Sequence, residues 1–316
     1  MTLSILLIII GFVGLIYGAN WLVDGASSFA KKKNISDLVI GFTIVAFGTS
    51  APELVVNSVA AVGGFSDIVM GNIVGSNNFN LFITLGIASL IYPLYIQLNT
   101  IQKEIPISLI ITVLVLLFAN NFWMNANPTI SRWEAGILLL IFLGFLFYMF
   151  KQLKSDLPAG EFVPKSNGKI LFLIVIGLAG LILGGKLVVD NAIVIATDMG
   201  VSQKIIGLTI IAAGTSLPEL VTSVVAAFKK NSDIAIGNIL GSNIFNILLI
   251  LPISILISPL EYNINFNTDL YILIGGTAFV LAAVLIGKSK KVTRWHGFIL
   301  LAFYVSYTSF LVAQEL

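Results

Sequence analysis

The chain has 316 residues, 58% of them hydrophobic and only 10% charged, with a mean hydropathy of +1.03; soluble domains carry about 25% charge. That balance excludes a water-soluble globular enzyme and predicts an all-α integral membrane protein. The formal net charge is +2 and the basic residues gather in loops without interleaved aromatics, so no nucleic-acid partner is expected. With no cysteine and one histidine, thiolate and polyhistidine metal chemistry is excluded and no resident cofactor is expected.

At about 20 apolar residues per crossing, the chain has room for ten transmembrane helices. The opening run MTLSILLIIIGFVGLIYGANWLVDG has no basic residue ahead of it and no small-residue cleavage site after it. It predicts a first span over 3–24 rather than a signal peptide. Further apolar runs predict spans over 38–63, 67–92, 104–120, 133–150, 169–189, 204–228, 233–258, 269–287 and 295–313. The polar segment 151–168, KQLKSDLPAGEFVPKSNG, contains two prolines and predicts a linker between units 1–150 and 169–316.

The two units repeat one another. A shift of 166 residues, the distance from Glu53 to Glu219, lays GFTIVAFGTSAPELVVNSVAA over GLTIIAAGTSLPELVTSVVAA, and SDIVMGNIVGSNNFN over SDIAIGNILGSNIFN. Between 40–86 and 206–252, 27 of 47 positions are identical without a gap, far beyond what shared hydrophobicity produces. An odd number of spans per unit makes the second enter from the opposite side, which predicts two inverted five-helix repeats. Loops after odd-numbered spans hold 14 of the 17 basic residues, so those loops and the linker are expected in the cytoplasm and both termini outside a multi-pass protein of the cell membrane.

Of fifteen carboxylates, thirteen fall in loops or near span ends, and the two deep in apolar runs are Glu53 and Glu219, at equivalent places in the repeats. A glutamate in the bilayer interior costs several kcal/mol unless it pairs, protonates or faces a polar cavity. The segments Gly48-Thr49-Ser50-Ala51-Pro52-Glu53 and Gly214-Thr215-Ser216-Leu217-Pro218-Glu219 predict helices broken at the midplane, because proline removes a donor and frees carbonyls near Thr49 and Thr215. Spans three and eight carry GNIVGSNNFN and GNILGSNIFN. Ser76 with Asn80, and Ser242 with Asn246, are spaced i, i+4 and assigned to one cavity face. Asn72, Asn77, Asn238 and Asn243 suit ion contact or interhelical hydrogen bonding equally. Two carboxylates with amides, hydroxyls and carbonyls form an all-oxygen cage suited to Ca²⁺ and also to Na⁺.

The paired GTSxPE and GNIxGSNxFN segments resemble the two α-repeats of the cation/calcium antiporter superfamily, most closely the prokaryotic-type sodium/calcium exchangers. The resemblance implies Glu53 and Glu219 as principal ligands, with Thr49 and Thr215 offering carbonyls to a central Ca²⁺. It implies a cytoplasm-side Na⁺ subsite of Ala46, Thr49, Ser50, Glu53 and Ser76, and an outer one of Ala212, Thr215, Ser216, Glu219 and Ser242. Asn80 and Asn246 complete the middle; some relatives have aspartate at one of these positions, so this site carries less negative charge. It further implies that spans one and six slide against the others.

These readings lead to an antiporter that exchanges Na⁺ for Ca²⁺ by alternating access, not an enzyme, with the two ions and the lipid bilayer as partners, no obligatory protein partner and a monomeric working unit. H⁺/Ca²⁺ antiport on the same scaffold is the nearest alternative, since buried carboxyls change protonation readily. A cation channel would need an open pore, and an intramembrane hydrolase would need a nucleophile or metal cluster absent from the motifs.

Overall fold

The computed structural model describes residues 2–120, 128–152, 165–199, 212–287 and 290–315. Helix α1 is Thr2–Lys33. It is followed by α2 (Asp37–Thr49) and α3 (Ala51–Val62), a pair bent by 47° at Ser50. Next come α4 (Ser66–Ile91), α5 (Thr100–Ala119), α6 (Arg132–Lys151) and α7 (Asn167–Asp198). The second half continues with α8 (Ala212–Thr215) and α9 (Leu217–Phe228), broken at Ser216. It ends with α10 (Ser232–Ile257), α11 (Phe266–Ile286) and α12 (Arg294–Glu315).

Among the described residues, seven helices are long and apolar enough to cross a bilayer, or eight if the bent pair is one span, fewer than the ten expected. The expected seventh span begins in 204–211, outside the described residues, and its remainder is α8 and the short α9. Most of the linker, 153–164, also lies outside them. Helices α1 and α7 reach 32 residues each, overrunning the expected 3–24 and 169–189 at their C-terminal ends.

Local signals place the helix starts. The Ser36 hydroxyl accepts from the Val39 amide at 3.2 Å, Asn231 Oδ1 accepts from Ile234 N at 3.0 Å, and Ser131 with Glu134 forms a capping box at α6. Helices α4 and α10 are 78% and 83% buried, against 28% for α1, α6 and α7, so the two helices that carry the Gly-Asn motifs form the centre. Both contain a π-helical stretch, Phe79–Thr84 and Asn246–Ile250, which nothing in the residue pattern marks. Around this centre, Leu3, Leu6 and Ile9 of α1, Leu140 and Phe147 of α6, and Leu171 and Phe172 of α7 stand exposed, as a surface facing hydrocarbon requires.

Helices α1 and α7 meet through glycines. A Cβ on Gly11 would lie 2.8 Å from the Gly184 carbonyl, and one on Gly18 would lie 2.8 Å from that of Gly177. Since rising numbers in α1 meet falling numbers in α7, these repeat-equivalent helices run antiparallel. Two-residue strands also link the halves crosswise: β1 (Leu94–Tyr95) pairs with β4 (Lys291–Val292), and β2 (Thr129–Ile130) with β3 (Leu260–Glu261). Arg132 Nε donates to the Leu256 carbonyl at 3.2 Å and Arg294 Nε to that of Leu90 at 2.8 Å. Each arginine thereby caps the C-terminus of the other half's central helix. Asp24 pairs with Lys229 at 2.8 Å, tying the later turns of α1 to the end of α9.

The Gly177 contact is the tightest of the α1–α7 seam, with an added Cβ 2.6 Å from the Leu22 amide nitrogen. Gly177→Val should therefore destabilise the protein by about 1–3 kcal/mol, read as a lower unfolding temperature in detergent, whereas Gly144→Ala, with open space around it, should leave that temperature unchanged.

Candidate cation site

The break between α2 and α3 falls at Ser50 (φ −84°, ψ 7°) and that between α8 and α9 at Ser216 (φ −90°, ψ 5°), both in the sparsely allowed bridge region. Pro52 and Pro218 have no N–H, so the carbonyls of Gly48 and Gly214 lose the donor four residues on. Each break starts a new helix, and the first turn of that helix carries the glutamate. Glu53 is 1% exposed and Glu219 0%.

The carboxylates are held across the repeat boundary. Ser50 Oγ donates to Glu219 Oε1 at 2.8 Å, and Ser216 Oγ donates to Glu53 Oε1 at 3.4 Å. Ser242 Oγ adds a second bond to Glu219 Oε1 at 3.4 Å. The threonines cross in the same way: Thr49 Oγ1 donates to Asn238 Oδ1 at 3.0 Å and Thr215 Oγ1 to Asn72 Oδ1 at 3.1 Å. At the centre, Asn77 and Asn243 each donate to the other's backbone carbonyl at 3.3 Å, and Asn246 Nδ2 donates to Asn77 Oδ1 at 2.9 Å.

Several acceptors in this cluster are left over. Glu53 Oε2, Glu219 Oε2, Asn80 Oδ1, Asn246 Oδ1 and Asn243 Oδ1 are buried without a hydrogen-bond partner. Buried polar groups are ordinarily satisfied, so partnerless oxygens concentrated among the repeat motifs mark a place for a cation. All of these partnerless atoms are oxygen, and among the described residues no group of three or more His, Cys, Asp or Glu side chains gathers to hold a metal, here or elsewhere.

Glu53, Glu219, Ser50, Ser216 and Ser242 thus share direct hydrogen bonds, while Thr49, Thr215, Asn80 and Asn246 lie on α2, α8, α4 and α10. Ser76 turns instead to Asn72, whose Oδ1 accepts from it at 3.2 Å. The Ala46 carbonyl already accepts from Ser50 N at 3.0 Å and Thr49 Oγ1 at 3.3 Å. Ala212 begins α8, and its side chain lies outside the described residues.

Two groups escaped the sequence reading. Asn57, one turn after Glu53, is wholly buried, and its Nδ2 donates to the Glu53 carbonyl at 2.8 Å; its i, i+4 spacing to the glutamate was the available signal. Glu104, assigned to a span end, is also wholly buried and accepts a hydrogen bond from the Tyr148 hydroxyl.

The chain matches the sodium/calcium exchanger protein family over residues 3–151 and 169–313. CaxA of Alkalimonas amylolytica is 37% identical over 318 residues, 97% of this chain and 98% of that one. The sodium/calcium exchanger MaX1 of Methanosarcina acetivorans is 33% identical over 346 residues, 97% of each chain. A structure of the sodium-calcium exchanger NCX_Mj soaked with Na⁺ and Ca²⁺ superposes with a TM-score of 0.83 at 30% identity, covering 97% of this chain and 98% of that one. A multi-pass membrane transporter is what the fold defines. The chain belongs to the sodium/calcium exchanger family.

The two serine bonds differ in length, so their removal should differ in effect. Ser50→Ala deletes the 2.8 Å bond to Glu219 and should weaken equilibrium ⁴⁵Ca²⁺ binding to the purified protein about tenfold, the scale of a hydrogen bond to a charged group. Ser216→Ala, removing a 3.4 Å contact, should weaken it less.

Proposed function

We propose that this protein exchanges Na⁺ for Ca²⁺ across the cell membrane by alternating access, through ten spans arranged as two inverted repeats. The antiparallel course of α1 and α7 and the crosswise strand pairs support that arrangement. The observation that carries the function is the pair of wholly buried glutamates, each with one oxygen unpartnered. Two carboxylates balance one Ca²⁺ or two Na⁺, so either cargo neutralises the site and the two compete for it.

Glu53 and Glu219 are the principal ligands in this reading. Asn80 and Asn246 supply neutral oxygens in the middle, and the carbonyls freed at the helix breaks, with Thr49 and Thr215, complete the Ca²⁺ shell. Na⁺ subsites flank it at Ser50 and Ser76 with Ala46, and at Ser216 and Ser242 with Ala212. Occupation of the Ala46 carbonyl requires Thr49 Oγ1 or Ser50 N to release it.

Exchange requires that an empty site move poorly. Two bare carboxylates in a low-dielectric interior supply that penalty, and only the neutralised site crosses readily between faces. The protein acts in this reading as a monomer with odd-numbered loops in the cytoplasm, and its cargo leaves chemically unchanged.

The test is ⁴⁵Ca²⁺ uptake into proteoliposomes loaded with Na⁺, compared with vesicles holding only a pH gradient. Uptake should follow the outward Na⁺ gradient and fall at least a hundredfold in both Glu53→Gln and Glu219→Gln, since each leaves Ca²⁺ with one carboxylate. Uptake that follows the pH gradient alone would instead establish proton-coupled exchange. Asn246→Asp, which adds a third negative charge, should strengthen Ca²⁺ binding and change the Na⁺ concentration needed to compete it off, as read by Na⁺ competition of bound ⁴⁵Ca²⁺.

A further inference from the structure

The two repeats hold their glutamates differently. In the second repeat, Asn238 on α10 donates through Nδ2 to the Glu219 carbonyl at 3.1 Å and to Ser223 Oγ at 2.9 Å. Its Oδ1 meanwhile accepts from Thr49 of the first repeat at 3.0 Å. One side chain thus ties α9 to α10 and both to the opposite broken helix, with every polar atom engaged.

The repeat-equivalent residues in the first half are Asn72 and, at the place of Ser223, Asn57. Asn72 Oδ1 makes the matching bond to Thr215 at 3.1 Å. Its Nδ2, however, is buried with no partner, and so is Asn57 Oδ1. The Glu53 carbonyl is taken from within its own helix by Asn57 Nδ2 at 2.8 Å. An orphan donor on α4 and an orphan acceptor on α3 therefore occupy the positions whose counterparts are bonded in the second half. One repeat is latched between its glutamate helix and its central helix, and the other is open.

We infer that Asn57 and Asn72 form a latch that is unmade in the access state seen here and made in the opposite one, while the Asn238–Ser223 latch does the reverse. In a carrier built of inverted repeats, reversing access exchanges the conformations of the halves around a fixed site. A donor and an acceptor that are both buried and unpaired in one state are the groups that gain most from meeting in the other. These four are positioning residues: each latch sets how firmly a glutamate helix is held against the central helix beside it. The inference rests on the alternating-access reading above but not on which ion is the counter-cargo.

The test measures the apparent KM for Ca²⁺ separately at the two faces in oriented proteoliposomes. Removing a latch lowers the population of the state that uses it, and apparent affinity scales with the population of the competent state. Asn57→Ala should therefore raise KM at one face and lower it at the other, each by up to about fivefold, the scale of one hydrogen bond. Ser223→Ala should shift the two values in the opposite sense, and Asn57→Ser, which restores an acceptor of the kind used in the second repeat, should return the ratio toward wild type. KM values that rise together at both faces, that do not move, or that shift in the same sense in Asn57→Ala and Ser223→Ala would overturn the inference. Should Asn57→Ala fail to fold, Ser223→Ala and Asn57→Ser still read the ratio. Ca²⁺ flux indifferent to Na⁺ would refute the choice of counter-ion while leaving the ratio of the two KM values to decide the latch.

Discussion

Everything in this molecule answers to the cost of keeping two carboxylates out of water in the middle of a hydrophobic body. An unpaired charge there would cost many kcal/mol, and among the described residues no lysine or arginine pairs with Glu53 or Glu219. The chain lowers that cost with hydroxyl donors. Serines at the helix breaks reach across to the opposite glutamate, and asparagines anchor the carboxylate-bearing turns through their backbone carbonyls. Full neutralisation is withheld, because one oxygen of each glutamate stays unmatched. A site solvated completely by its own protein would have no use for an ion.

The breaks and the central helices follow from the same demand. A continuous helix buries its backbone oxygens in its own hydrogen bonds, so only interrupted helices can turn them toward a cavity. The interruption in turn leaves short helices with little intrinsic stability, and α4 and α10, the most enclosed elements, supply the support. The glycine seam between α1 and α7 sits outside this core. Backbone against backbone gives a smooth contact with few interlocking side chains, a surface suited to sliding as well as to close packing.

Much of this was readable from residues alone. Proline removes a helix donor two residues after Gly-Thr-Ser in both repeats, and a glutamate follows it inside an apolar run, so the breaks at Ser50 and Ser216 and the burial of the two carboxylates were legible. Helix ends were less so. The C-terminal turns of α1 and α7 carry polar residues such as Asp24, Asp190 and Asn191 yet continue as helix, and Asp24 has Lys229 for a partner. The π-helical stretches beginning near Asn80 and Asn246 were invisible, because a one-residue change of winding leaves no trace in hydrophobic period. Ser76, expected on the cavity face with Asn80, is wholly buried and donates its hydroxyl to Asn72 Oδ1, which also accepts from Thr215. Asn72 and Asn238 could not be assigned from sequence, since ligand and interhelical brace call for the same amide.

The crosswise devices carry a consequence for how such a molecule could have arisen. Each half offers one strand that the other completes at both ends, one arginine that fits only the other's helix terminus, and one serine for the other's carboxylate. Nothing in this pattern requires the two halves to be joined. A half-length chain would find these partners in a second copy of itself, as a reciprocal dimer. Fusion would then have fixed the stoichiometry and allowed the copies to diverge, and the pairing of Asn57 with Ser223 is a divergence that an identical pair of subunits could never carry.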